Sequence, residues 1–332
     1  MLEYILKRIL LLFPVMAVIS IVIFFIIQLP PGDYLSSYIA NLEQQGIEVT
    51  DSEAASLRRT YGLDKNIVEQ YFQWISNIVT RGDFGRSFAW NKPVSALLIE
   101  RVPMTIGISL ATTIFIYMVS IPIGIYAATH QYSFFDYFWT FVGFIGLSVP
   151  GFLLALVVIW WTYIIFGVSI SGLFSQEYIA EPWSIGKFID MLKRIWFPIL
   201  IIGMAGTAGL IRVMRGNLLD ELKKQYVTTA RAKGVPENTV LYRYPVRIAV
   251  NPIISTVGWV LPAVVGGEVL VSIVLNLPTT GPVLLKAVMF QDMYLAGSIT
   301  LILSLLTVIG TLVADILLVW IDPRIRFGGL EK

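Results

Sequence analysis

The sequence predicts an all-α polytopic membrane protein with six transmembrane helices. Composition is the first observation: of 332 residues, 56% are hydrophobic and only 14% charged, too apolar for an ordinary soluble domain. Second, apolar runs of about 20 residues, enough to cross roughly 30 Å of hydrocarbon, recur along the chain. Third, lysine and arginine gather at particular ends of those runs and so assign a side to each. The net charge of +2 gives no reason to expect nucleic acid as a partner. With no cysteine, disulfide and thiol chemistry are excluded.

The first element is the apolar run from Ile9 to Leu29, preceded by Lys7 and Arg8. A signal peptide would look similar, but this run exceeds an ordinary signal core and ends in Leu-Pro-Pro-Gly-Asp without a small-residue cleavage site. A retained helix is expected. The next segment, to about Val102, is long enough for a small extracytoplasmic domain. Within it "DSEAASLRRTYGL" and "NIVEQYFQWISNIV" read as amphipathic helices, with Ile67, Tyr71, Trp74, Ile75 and Ile78 on one face of the second.

Five spans follow, at about Pro103–Thr129, Tyr137–Phe166, Trp196–Met214, Ile248–Leu275 and Tyr294–Trp320. Pro122 and Pro150-Gly151 are expected to interrupt the first two of these. The chain thus divides into residues 1–29 (N-terminal segment and first helix), 30–102 (extracytoplasmic loop domain), 103–320 (five-helix core) and 321–332 (C-terminal tail). The core carries a basic loop at about 215–247.

Lys7 and Arg8 put the N-terminus in the cytoplasm, and six spans return the C-terminus, with Arg324 and Arg326, to the same side. The loop between the fourth and fifth spans is then cytoplasmic. Between Arg212 and Arg247 it holds eight basic residues against Asp220, Glu221 and Glu237. Lys187, Lys193 and Arg194 fall on the opposite side and count mildly against this topology. The seven basic residues of the long first loop do not, because long loops obey the charge rule poorly.

Catalytic material is scarce. His130 is the only histidine, so two-histidine zinc motifs are impossible, and no catalytic or metal site is expected. No G-x-x-x-x-G-K-[ST] loop occurs to cradle a phosphate. Glu268 and Asp315 are the acids deepest in the spans, the default material for an ion site; pairing with backbone or a polar neighbour is the more ordinary role. Gly203, Gly206 and Gly209 make one small helix face, expected to serve close helix packing before any pore wall.

The segment "QYVTTARAKGVPENTVLYRYPVR" remains. Asn217 is expected to cap a helix carrying the stripe Leu218, Leu222, Tyr226 and Ala230. Gly234 suits a left-handed turn, and Pro236 the first position of a second helix. Such a basic pair of helices could simply rest on anionic headgroups. Headgroup contact, however, gives no reason for Thr228, Thr229, Ala230 and Ala232, small side chains around which another protein could close.

"YVTTARAKGVPENTVLYRYPVRIAVNPII" resembles the cytoplasmic coupling loop of binding-protein-dependent ABC importer permeases, in particular the oligopeptide/dipeptide type. That family's general pattern is Glu-Ala-Ala, three residues, glycine, nine residues and Ile-x-Leu-Pro. Here Ala230 and Gly234 keep the spacing, Thr228 and Thr229 replace Glu-Ala, and Ile-x-Leu-Pro is absent. "YGLDKNIVEQYFQWISNIVTRGDFGRSF", "RVPMTIGISL", "LPTTGPVLLKAV" and "DPRIRFGG" extend the likeness over nearly the whole chain.

The resemblance implies a type I importer permease fold in a bacterial or archaeal inner membrane. It implies half of a pore, completed by a homologous permease, with two ABC ATPase subunits below and a periplasmic or extracellular binding protein above. The bilayer is the remaining partner. ATP and its magnesium ion would be bound by the ATPases, with no cofactor in this chain. Tyr226, Thr228, Thr229, Ala230, Arg231, Ala232, Lys233, Gly234 and Arg243 are the residues expected to couple it to them.

For cargo, Leu29-Pro30-Pro31-Gly32-Asp33-Tyr34 departs from the peptide-type Leu-x-Pro-Gly-Asp-Pro, and "GGEVLVSIVLNLPTTGP" looks more like oligosaccharide-associated members. Oligosaccharide is therefore the expected cargo, with oligopeptide as the alternative. An ion-coupled secondary transporter built on Glu268 and Asp315 is the rival from another class, although it offers no reason for a docking loop.

Overall fold

A computed structural model of the chain describes residues 2–29, 50, 52, 65–87, 89–167 and 170–321. The tail arginines Arg324 and Arg326, the Pro30–Tyr34 pattern, and all but Ser52 of "DSEAASLRRTYGL" lie outside the described residues. The described chain is helical, apart from one isolated bridge between Arg86 and Pro93. It falls into two compact units, Met1–Met104 with Thr279–Leu306, and Thr105–Pro278 with Thr307–Lys332.

In the first unit, helix α1 (Leu2–Gln28) packs against α2 (Ile67–Arg81). Asn66 starts α2 by accepting from the Val68 amide, and Gly82, at φ 63°, ends it in a left-handed turn. The face expected from periodicity is the one that packs: Tyr71 and Trp74 are buried on Ile23 and Phe24, flanked by Ile67, Ile75 and Ile78. The Tyr71 hydroxyl meets Ser20 Oγ at 2.9 Å, so its polar tip is satisfied.

A second cluster joins the start of α3 (Val94–Thr129), α11 (Thr280–Met289) and the start of α12 (Met293–Ile321) through Leu97, Val283 and Leu295. Asp292, fully buried, ties a loop to it. Its carboxylate accepts from Ser87 Oγ at 2.6 Å, from the Ala89 amide at 3.1 Å, and from the Leu295 amide at 3.2 Å at the head of α12.

The second unit is built around α6 (Ile185–Leu222), which packs with the rest of α3, α4 (Phe134–Ser148), α5 (Gly151–Phe166), α9 (Pro245–Ser255) and α10 (Val257–Val274). Glycine permits the closest approaches. A Cβ on Gly124 would lie 2.5 Å from Met214 Cβ, and one on Gly146 would lie 2.6 Å from Met204 Cγ. A Cβ on Gly206 would lie 2.8 Å from Ile116 Cδ1, and one on Gly203 would lie 3.1 Å from Phe115 Cδ1, so these two serve packing as expected. Gly209 does not, because nothing lies within 4 Å of its Cβ position.

Four helices among the described residues are long and apolar enough to span a membrane: Leu6–Gln28, Val94–Thr129, Ile185–Leu222 and Met293–Val313. A fifth is a pair, Phe134–Ser148 and Gly151–Phe166, bent by 110°. The break at Pro150-Gly151 is thus real, and Val149 before it is extended, as the residue preceding proline prefers. Pro122 behaves otherwise: α3 runs through it unbroken, losing one backbone bond in a helix of 36 residues.

The span expected at Ile248–Leu275 is divided at Thr256 between α9 and α10, and the count of six is not reproduced among the described residues. Large exposed side chains such as Phe141, Trp160, Trp161 and Phe166 cover the surface, which suits hydrocarbon and not water. At 38 residues, α6 is about 57 Å long, roughly twice the hydrocarbon thickness. Lys187 on its first turn donates to the Glu181 carbonyl at 2.5 Å and lies 4.8 Å from the Phe174 ring centroid. That lysine secures the loop before α6.

Candidate coupling hairpin and cavity

Helix α6 does not begin at Asn217 but passes through it to Leu222. Asn217 Nδ2 instead donates to the Ala249 carbonyl at 3.4 Å, joining α6 to α9. After Lys223 and Lys224 the chain restarts as α7 (Gln225–Ala232) and then α8 (Glu237–Arg243). The stripe Leu218, Leu222, Tyr226 and Ala230 therefore spans two helices. No proline or glycine marks this break, so patterning runs straight across it.

The turn between α7 and α8 is a Schellman motif. Gly234 has φ +75°, its amide donates to the Arg231 carbonyl at 2.9 Å, and the Val235 amide reaches the Ala230 carbonyl at 3.3 Å. Val235 then folds onto Val227, Ala230 and Val240, which form a small core flanked by Tyr226 and Tyr244. Pro236 stands just before α8, one residue earlier than expected, and its carbonyl accepts from the Val240 amide at 3.0 Å.

Two side-chain contacts tie the hairpin further. Arg231 grips Glu237 through both Nε, at 3.1 and 3.2 Å, and a second nitrogen at 2.6 Å. That hydrogen-bonded guanidinium holds the Glu237 carboxyl below its usual value and raises Arg231 in turn. The Tyr226 hydroxyl donates to Glu221 Oε2 across the α6–α7 break; burial and then the Glu221 carboxylate push this phenol well above its usual value, keeping it neutral.

Of the residues expected to couple, Thr228, Thr229, Arg231, Ala232, Lys233, Gly234 and Arg243 are exposed on the hairpin. Tyr226 is half-buried against Glu221. Ala230 turns inward. At 8% exposure it belongs to the hairpin's own core, so its small size is needed there, where Val227 and Val240 close over it. Val227, Val235, Val240 and Glu237 are the structural residues that the pattern missed. Valines at 227 and 240 in an otherwise polar stretch were the available signal.

Within the same unit a cavity of about 550 Å³ opens between the α4–α5 break, α6 and α10. Ala205, Gly209 and Arg212 face it from α6, and Gly267 from α10. Glu268, next along α10, points elsewhere: it is 2% exposed and its Oε2 accepts from Ser109 Oγ at 2.9 Å. At the end of α6 nearer the hairpin, Arg215 makes a bidentate pair with the buried Asp136 of α4, both bonds at 3.0 Å. The backbone amide of Tyr132 also donates to Asp136, at 3.0 Å.

Comparison with known proteins agrees with this architecture. The family model described as binding-protein-dependent transport system inner membrane component matches residues 120–327, and the N-terminal model of the same systems matches residues 1–111. The chain is 34% identical to the oligopeptide transport system permease protein AppB of Bacillus subtilis (strain 168), over 98% of this chain and 100% of that one. It is 31% identical to a putative peptide permease protein of Brucella suis biovar 1, over 98% and 99% of the two chains. An inner membrane ABC transporter permease protein of Escherichia coli O157:H7, YejB, is 30% identical over 98% and 99%. The chain belongs to the inner membrane components of binding-protein-dependent transport systems and is a permease subunit of an ABC importer.

Proposed function

We propose that this chain forms half of the pore of an ATP-driven peptide importer and takes its mechanical input through the α7–α8 hairpin. A homologous permease completes the pore, two ATPase subunits bind and hydrolyse ATP, and a binding protein delivers cargo from outside. Both termini are cytoplasmic in this arrangement, on the side of the hairpin.

The hairpin's construction carries the mechanical part. It has its own apolar core, a left-handed glycine turn and an arginine–glutamate clasp, so it can be pushed as one body. At either end it continues into α6 and α9, which share a core of Leu218, Ala249 and Ile253. A displacement of the hairpin is then passed to α6, which lines the cavity. Force reaches the cargo path mechanically, with ATP hydrolysed in the partner subunits.

Peptide replaces oligosaccharide as cargo. Two of the relatives above carry peptide transport in their names. The segment behind the oligosaccharide expectation divides: Leu275, Leu277, Thr279 and Thr280 are buried in packing and say little about cargo, whereas Gly267 faces the cavity. The test is uptake by proteoliposomes holding the complete transporter, offered peptides and oligosaccharides. Uptake of peptides that needs both ATP and binding protein is expected. Uptake driven by a proton gradient alone would point to the ion-coupled rival, and uptake of oligosaccharides alone would reverse the cargo.

A further inference from the structure

The cavity in the second unit has a volume within the usual range for small-ligand sites, roughly 300–1,000 Å³. Among the described residues its wall is glycine, alanine, proline, aliphatic, methionine and phenylalanine, with one exception. That exception is Arg212. Three residues further on, Arg215 is taken up by Asp136, whereas the exposed Arg212 makes no ion pair or side-chain hydrogen bond among the described residues. It stands ten residues before the end of α6, about 15 Å in from the hairpin end. A guanidinium set against an otherwise apolar wall is costly unless it meets water or an anion, and in a membrane protein such a group characteristically marks a substrate path.

The surrounding wall is open in a way that packing does not demand. Gly206 and Gly146 are required by Ile116 and Met204, but a Cβ at Gly209 or Gly267 would meet nothing within 4 Å. Both face the same space as Arg212. Glycine in a helix interior costs about 0.5–1 kcal/mol relative to alanine. Its presence without a neighbour fits a wall that something slides along.

We propose that Arg212 is a cargo contact, its guanidinium receiving the C-terminal carboxylate of a peptide in this cavity while the glycine-lined wall takes the main chain. This rests on the peptide reading of cargo. A planar fork of donors suits a carboxylate bidentately, and a single arginine against an apolar wall gives one oriented anchor without selecting side chains. No acid is among the described residues of the wall, so none of them repels the carboxylate.

The experiment is uptake by proteoliposomes of the complete transporter, with one tripeptide supplied as free acid and as C-terminal amide, each loaded to saturation on the binding protein beforehand. Wild type is expected to move the acid faster. Arg212→Gln should lower acid uptake about tenfold, the worth of one charge-assisted hydrogen bond, and amide uptake by less than about twofold. Arg212→Lys should keep part of the preference. Equal loss of both forms in Arg212→Gln would make the arginine structural and overturn the proposal, as would unchanged acid uptake. If exchanging anionic for neutral lipid alters both forms alike in wild type but not in Arg212→Gln, the anion held is a headgroup, which also overturns it. Wild-type uptake of oligosaccharide with neither peptide form would instead refute the cargo reading, a result separable from the others.

Discussion

Substitution at Gly234 isolates the backbone of the turn in the proposed coupling hairpin from every other influence. Gly234 has φ +75° and an added Cβ would meet nothing within 4 Å, so no steric clash enters. The cost is conformational: an L-residue in the left-handed region loses roughly 1–2 kcal/mol, with a β-branched residue at the upper end and asparagine least affected. Gly234→Ala should therefore weaken the turned hairpin by about 1 kcal/mol, or about fivefold, and Gly234→Val by about 2 kcal/mol, or about thirtyfold. Gly234→Asn should stay near wild type. The three variants keep every membrane span, so each should insert and accumulate normally. The assay is capture of the ATPase subunits by detergent-solubilised permease, read as apparent affinity, with cargo-stimulated hydrolysis measured alongside. The order Asn, Ala, Val in increasing loss is expected in both readouts. If Val matched wild type, the Schellman turn would not matter to docking; if all three failed equally, the small side chain and not the backbone angle would be the requirement.

Four further outcomes follow from the structure. Ala230→Trp should disrupt the hairpin from within, at about 1–3 kcal/mol of overpacking, whereas exposed Ala232→Trp should leave it folded and lose only ATPase capture. Hydrogen exchange over residues 225–243 separates the two. Asp136→Ala should destabilise the permease by about 2 kcal/mol, less than a fully buried pair because Arg215 is 30% exposed, with Arg215→Ala partly redundant in a double-mutant cycle of thermal midpoints. Glu237 is depressed from its usual 4.5, so the Arg231 clasp is fully present above that value and lost as pH falls through the lower one. Amide exchange at the turn should then rise only in that acid window, and Glu237→Gln should abolish the step. Glu268→Gln can still accept from Ser109 and should remain ATP-coupled with an unchanged pH profile, as should Asp315→Asn; a lost pH optimum in either would revive ion coupling.

Lipid and local geometry made much of this protein legible in one dimension. An apolar run of sufficient length must become a helix in hydrocarbon, because no other single segment satisfies its backbone there. Hence the spans around α1, α3, the α4–α5 pair, α6 and α12 could be read directly. The same holds for the packed face of α2, a matter of 3.6-residue spacing, and for the left-handed turn at Gly234, a matter of the missing Cβ. What tertiary structure decided was direction and partner. Ala230 faces inward because Val227 on its own helix and Val240 on the next, thirteen residues apart in sequence, close over it. Asn217 bonds to α9 and caps nothing, because α6 has not ended there. Pro122 sits in a helix that continues, while Pro150, with extended Val149 before it and Gly151 after it, turns the chain by 110°. Arg212 and Arg215 are alike in sequence, three residues apart on one helix, yet only one finds Asp136 and the other faces a cavity. Spacing along a chain determines which face a side chain occupies, but what that face meets depends on helices brought together from elsewhere.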